Sequence, residues 1–395
     1  MKTIPELRFL EFDKDGEWVE KPLDDLCKLV RGPFGGALKK EIFVKEGYAV
    51  YEQSHAIHSD FSSFRYFIDE DKFNELKRFS VKSGDLIMSC SGTMGKFAIV
   101  PEDYKIGVIN QALLKLTAKK GHDNLFVKMT LEADNNQEKL LSQSAGGAIK
   151  NVVSVSQIKE LGLFIPSIKE QQKIASCLSS LDEVIAAHSQ KLELLKEHKK
   201  GLMQNLFPQE GEKVPKYRFK EFEKDGEWVE KTFEQLFDIG NGRDYKHLEK
   251  GEIPVYGSGG YMLSVDDFLY NGESVCIGRK GTIDKPMFLN GKFWTVDTLF
   301  YTHSFKDCLP KYIFYVFENI NWRTHNEAGG VPSLSKTNIY KIKVLVPPSI
   351  IEQQKIASCL SSLDALITSQ AEKIEQLKLH KKGLMQGLFP AVSDR

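Results

Sequence analysis

The thirteen residues EQQKIASCLSSLD occur at Glu170 to Asp182 and again, letter for letter, at Glu352 to Asp364. They hold carboxylates, a lysine, serines and a cysteine, the side-chain types from which acid-base and nucleophilic sites are made. Elsewhere catalytic patterns fail. There is no Walker A loop, no GxSxG and no HExxH. An exocyclic-amine methyltransferase would need an Asp/Asn/Ser-Pro-Pro-aromatic tetrapeptide to hold a flipped base, and VPPS at Val346 to Ser349 lacks both the polar lead and the aromatic. The six cysteines form no CxxC pair, and His55 and His58 lack further metal ligands at useful spacing. An enzyme acting alone is not expected.

What remains is chemistry for contacting a polyanion. RGPFGGALKKEIF, from Arg31, is a glycine-rich loop whose Lys39 and Lys40 suit phosphates or a solvated hairpin. YEQSHAIHSDF brings Gln53, Ser54 and His55 close together, and glutamine suits adenine. SCSGTMGK offers Ser89, Ser91, Thr93 and Lys96, with Asn110 and Gln111 on the next strand; structural turns explain these equally well. Later in the chain come NGRDYKH with Arg243, Tyr245 and Lys246, then YGSGGY with Ser258, then GRKGT with Arg279, Lys280 and Thr282. Arginine is the commonest guanine reader. GSGG at Gly257 to Gly260 is not GxGxxG, so nucleotide binding is not expected.

These loops sit in two halves of a repeated chain. RFLEFDKDGEWVEK from Arg8 matches RFKEFEKDGEWVEK from Arg218, and HKKGLMQNLFP at His198 matches HKKGLMQGLFP at His380. Between these ends KSGDLIMSCSGTMG parallels NGESVCIGRKGTID, and SAGGAIKNVVSVSQIKELGLFIPS parallels EAGGVPSLSKTNIYKIKVLVPPS. Ile174, Leu178, Leu181, Ile185, Leu192, Leu195, Leu202 and Leu206 step by fours and threes with gaps at His188 and Lys199, a heptad seam. The second copy keeps it from Ile356 to Leu388, with gaps at Gln370 and Lys381. Each seam predicts a helix of about 40 residues, roughly 60 Å long. Gly201 and Gly383 predict either a close backbone approach or a break near each helix end.

The expected architecture is two similar globular domains, 1–165 and 209–347, and two long helices, 166–208 and 348–395 with its tail. Because each domain's termini tend to lie close together, the helices should run antiparallel as a coiled coil, giving a pseudo-two-fold tandem repeat. The polar gap residues and the basic stretches Lys196 to Lys200 and Lys378 to Lys382 fit register, helix-dipole or protein-partner roles. With 395 residues, 41% hydrophobic, 27% charged and no net charge, the chain is a folded multidomain protein without a global pull on nucleic acid. No apolar run reaches the roughly 20 residues needed to span a bilayer, so a cytoplasmic protein is expected.

The doubled EQQKIA and HKKGLMQ segments around two divergent domains resemble the specificity subunit of type I restriction-modification systems, over nearly the full chain. The resemblance implies an α/β (α+β) fold, with two α/β target-recognition domains on the helix pair, in a DNA-binding, non-catalytic subunit. Each recognition domain would read one half of a bipartite asymmetric site in double-stranded DNA, and the helices would set the spacer. It also implies two modification subunits that use S-adenosylmethionine to methylate adenine N6, and restriction subunits that need ATP and Mg2+. The candidate docking residues are Glu170, Gln171, Lys199, Lys200, Glu352, Gln353, Lys381 and Lys382. A free-standing DNA-binding scaffold or regulator is the alternative.

Overall fold

The structure is a computed structural model, and it describes residues 4–142 and 155–390. The first part of the SAGGAIKN parallel therefore lies outside the described residues. The chain forms two compact units, Met1–Ala187 with Ile374–Arg395, and His188–Lys373. Each contains a globular head together with parts of both long helices.

The head of the first unit has a four-stranded antiparallel sheet in the order Cys27–Arg31, Leu113–Ala118, Leu86–Ser89, Phe97–Ile99. Beside it Tyr48–Tyr51 runs parallel to Gly107–Ile109 and antiparallel to Phe67–Ile68. Side chains of a strand alternate between faces. Leu86 and Met88 accordingly join a core with Trp18, Phe126 and Ile174, while Ile87 joins another with Ala49 and Tyr51. Burial on both faces explains why LIMS carries no polar alternation.

The second head repeats this plan with different sequence. Its four-stranded sheet is Asp238–Asn241, Leu299–His303, Ser274–Gly278, Met287–Leu289. Its second sheet pairs Lys250–Gly257 parallel to Lys292–Thr295, flanked by Gly260–Val265 and Tyr270–Asn271. In each unit a two-stranded ribbon, Val19–Pro22 with Gly162–Ile165 or Val229–Thr232 with Lys343–Val346, ties the start of the head to the strand before a long helix. The class is α+β, mostly antiparallel.

The long helices span Ile168–Leu206 and Ile350–Leu388, 39 residues each. Within each unit they run antiparallel. In the first, Ile174 and Leu178 share a core with Leu384, Leu388 and Phe389, and Lys381 Nζ lies 2.6 Å from Asp182 Oδ1. In the second, Met203 and Leu206 pack with Ile356 and Leu360, and Lys199 Nζ lies 2.7 Å from Asp364 and 2.8 Å from Glu318. The predicted seam is thus the packed face. Its polar gap at His188 and Gln370 is filled by hydrogen bonds, with Gln370 Nε2 donating at 2.8 Å to both His188 Nδ1 and the His188 carbonyl. A polar pair satisfied in one alignment penalises slippage along the seam, the register role expected of it.

The break predicted at the two helical glycines does not occur, and no backbone of this chain closes on them among the described residues. Both helices continue through them, and a Cβ added at Gly201 or Gly383 would meet nothing within 4 Å. Glycine costs about 1 kcal/mol relative to alanine in an exposed helix interior. Gly383→Ala should therefore raise stability by about that amount. A urea midpoint that falls instead would reveal a packing constraint within the chain.

Candidate nucleic-acid interface

Each head must first be held on its helix, and the doubled segments supply the joint. Arg8 donates from Nε and Nη2 to the two Glu170 carboxylate oxygens at 2.8 Å, and Trp18 Nε1 donates to Oε1 at 3.2 Å. Arg218, Trp228 and Glu352 repeat this at 2.8, 2.8 and 3.3 Å. Arg8 and Arg218 also donate to the carbonyls of Gly16 and Gly226, at 2.7 and 2.6 Å; these turns of KDGEW need φ near +77° and +78°, where glycine costs least. The neighbouring Gln171 donates to the Pro166 carbonyl and accepts from Asp123 N, and Gln353 does the same with Pro347 and Leu309. The EQQ and RF…KDGEW identities are therefore the two sides of one buried contact, made twice.

This corrects the docking candidates. Glu170, Gln171, Glu352 and Gln353 are at most 1% exposed and anchor the heads internally. Lys199 and Lys381 are held in the ion pairs across the two helices described above. Lys200 and Lys382 are exposed. So are the identical pairs Gln172 and Gln354, Ser176 and Ser358, Ser180 and Ser362, His198 and His380, and Gln204 and Gln386.

The polar loops named from the sequence mostly converge at one end of each head. In the first, Tyr51 ends the parallel strand and its carbonyl accepts from Asn110 N at 3.0 Å; Gly32 N donates to Leu113 at 3.0 Å, and Cys90 N to Ala112 at 2.8 Å. The second has the same ties: Val296 N to Tyr256 at 3.0 Å, Gly242 N to Leu299 at 3.1 Å, and Arg279 N to Thr298 at 2.8 Å. These bonds match Gln53 with Ser258, Cys90 with Arg279, Gly92 with Gly281, Gln111 with Asp297 and Arg31 with Asn241. A Cβ on Gly92 would lie 3.7 Å from Gln53 Nε2, and one on Gly281 3.5 Å from Ser258 Oγ, so matched loops meet matched loops.

In the first head these segments bound a concavity of about 440 Å³ lined by Gln53, Ser54, Ser63, Arg65 and Asn110. Ser54, Ser91, Thr93, Lys96 and Gln111 are exposed. Two candidates are internal instead. His55 is 4% exposed, its ring bonded to Glu52 N and the Ser63 carbonyl, and Ser89 is fully buried, accepting from Lys96 N. Both hold loops in place. Asn110 spends its Oδ1 on Ala112 N, shaping the turn that carries Gln111. Lys39 and Lys40 are exposed at a short 3-10 turn whose apolar neighbours Leu38 and Ile42 pack with Val50, on the face of that strand opposite Tyr51's core.

In the second head Tyr245, Lys246, Ser258, Asp297 and Thr298 line a concavity of about 670 Å³. Arg279, Lys280, Asn241, Glu327 and Lys336 line another of about 330 Å³. Arg243, Lys246, Arg279 and Lys280 are exposed, and Thr282 is half-buried. The Arg279 guanidinium lies 5.9 Å from the Phe300 ring centroid. Burial, and to a smaller extent the nearby Arg279, pushes the Lys336 ammonium below its usual range. Burial also drives the Cys90 thiol up to about 11, against the pull of Arg31, so it is no nucleophile. Among the described residues no three His, Cys, Asp or Glu side chains are grouped to hold a metal.

Sequence reasoning missed Arg31, Asp297 and Lys336. Arg31 ends its strand with Nη2 3.5 Å from the Cys90 carbonyl, and its Nε and Nη1 are enclosed without a hydrogen-bond partner among the described residues. It fixes a positive charge beneath the loops. The signal was present in YEQS beside YGSG and RG beside NG, but only as a match of position.

A family model described as the type I restriction modification DNA specificity domain matches residues 15–197 and 225–379, once in each half. The chain belongs to the type I restriction-modification specificity subunit family. It is similar to the putative MjaX specificity subunit of Methanocaldococcus jannaschii, at 24% identity over 94% of this chain and 93% of the relative. The MjaVIII specificity subunit of that organism is 23% identical, over 98% and 95%. Among solved structures, the S subunit from M. genitalium superposes with a TM-score of 0.66 at 18% identity, covering 99% of this chain and 100% of that one, a likeness of fold. As a specificity subunit the chain is a non-catalytic DNA-recognition component. No described helix is long and apolar enough to cross a membrane.

Proposed function

We propose that each head of this specificity subunit reads one half of a bipartite, asymmetric DNA site, while the helix pair sets the spacer and seats two modification subunits. The carrying observation is that one backbone constellation occurs in both heads, with Tyr51, Gly32, Gly92 and Leu113 matched by identical residues, while Gln53, Cys90, Gln111 and Arg31 are matched by Ser258, Arg279, Asp297 and Asn241. A common scaffold bearing different donors and acceptors suits two different half-sites. The partners in this reading are methyltransferase subunits that bring S-adenosylmethionine to adenine N6, and restriction subunits that use ATP and Mg2+. The chain supplies the address.

The docking part rests on the exposed identities. Packing requires only similar buried residues, yet Gln172, Ser176, Ser180, His198, Lys200, Gln204 and their copies are solvent-facing and unchanged. Two equivalent surfaces suit two copies of one partner. Gly201 and Gly383, unneeded by the chain's own packing, let another backbone approach those helices closely.

Mapping methylated adenines in cells expressing the chain with its modification subunit tests this. Adding one heptad to both helices lengthens them by about 10 Å, roughly three base pairs. The mapped site should keep both half-sites and gain that spacer. An unchanged spacer, or methylation without a bipartite site, defeats the reading.

A further inference from the structure

On the second head, Asp297 is the anomaly. It is exposed on the turn between Lys292–Thr295 and Leu299–His303, facing the concavity shared with Tyr245, Lys246 and Ser258. Its carboxylate makes no ion pair or hydrogen bond among the described residues. Asp244 and Lys246 line the same concavity, and the cations Arg243, Arg279 and Lys280 are exposed on the adjoining turns. The turn is fixed on both sides, with Val296 N bonded to Tyr256, Leu299 N to Val296 and Arg279 N to Thr298, at 3.0, 2.9 and 2.8 Å. A rigidly presented, unpaired carboxylate opposes phosphate binding, because like charges repel. It suits a DNA-facing surface when it meets an amine on a base edge, and the exocyclic N4 of cytosine is the major-groove donor that an aspartate accepts from.

We infer that Asp297 reads a cytosine N4 amine in the half-site addressed by the second head, an assignment that rests on the DNA-recognition reading above. The first head makes the contrast chemically explicit. Its matched residue is Gln111, also exposed, whose amide both donates and accepts, the pattern that adenine presents through N6 and N7. The same turn on the same scaffold is thus set for a different base in each head.

The test is selection from random-sequence duplexes by the full chain in complex with its modification subunits, comparing wild type, Asp297→Asn and Asp297→Ala. Wild type should select cytosine at one position of one half-site. Asp297→Asn, isosteric and now carrying a donor, should move that position towards adenine by about tenfold. Asp297→Ala should leave it degenerate. The other half-site should stay unchanged in both variants, which also reports that the chain is folded. Base preferences identical to wild type in both variants, or equal changes at both half-sites, overturn the assignment. A wild-type complex that selects no bipartite sequence overturns the DNA-recognition reading itself, and the assignment with it.

Discussion

Replacing Glu352 by alanine should destabilise the second unit by about 3–5 kcal/mol, the cost of stranding a buried charge. Its partner Arg218 has a side chain only 5% exposed, and Glu352 itself is 1% exposed. Removing the carboxylate leaves the guanidinium without its two 2.8 Å hydrogen bonds and leaves Trp228 Nε1 without its acceptor. Water cannot easily replace them. The damage then spreads, because Trp228 packs edge-on to Phe207, with ring centroids 6.2 Å apart, at the end of the first long helix. Replacing Arg218 and Glu352 together by methionine should recover much of the loss, since well-packed apolar residues often match a buried ion pair. Urea denaturation of the single and double variants decides it. A loss below about 1 kcal/mol for Glu352→Ala would show that the joint is held by apolar packing, with the ion pair incidental.

Gly242→Ala should abolish discrimination by the second head while sparing the first. A Cβ at that position would sit 1.9 Å from the Val296 carbonyl oxygen and 2.6 Å from that of Thr295. Both obstacles are backbone, so the turn carrying Asp297 and Thr298 must move. Overpacking of this kind typically costs about 1–3 kcal/mol in stability. Its larger consequence is geometric: a displaced turn can no longer place its side chains on base edges, and each good base contact is worth about 1–3 kcal/mol of discrimination. Gly32→Ala should do the converse, its Cβ falling 1.8 Å from the Asn110 carbonyl oxygen beside Gln111. Binding competition between duplexes altered in one half-site or the other measures both. Equal loss at the two half-sites, from either variant, would count against independent heads.

The helices were legible because their signal is local and periodic. Leucines spaced by threes and fours mark one face whatever that face packs against. The doubled segments were legible as a repeat but misleading as a site. Glu170 and Glu352 look like solvent-facing helical carboxylates until Arg8 and Arg218 arrive from 162 and 134 residues away. No periodicity encodes so distant a contact. His55 and Ser89 failed as contacts for a related reason, since polar residues buried to shape loops have the same composition as those that face a ligand. Asp297 was invisible because its meaning is comparative: it becomes notable only when backbone hydrogen bonds align it with Gln111 in a head whose sequence has drifted.

The division of the chain into units carries a consequence for synthesis. The second unit, His188–Lys373, is one uninterrupted stretch, and its main core draws only on residues between Met203 and Leu360. The first unit joins segments far apart in sequence: Phe389 packs on Trp18, and Leu7 N donates to the Gly387 carbonyl at 2.8 Å. The head made first on the ribosome is therefore the last to be completed. It waits, with Trp18 and Phe126 lacking their aromatic neighbour, until Phe389 has been made, whereas the later head already has every residue of its main core. A chain interrupted before Phe389 would leave the core of the early head short of a packed ring, so folding of that head is coupled to synthesis of the second long helix.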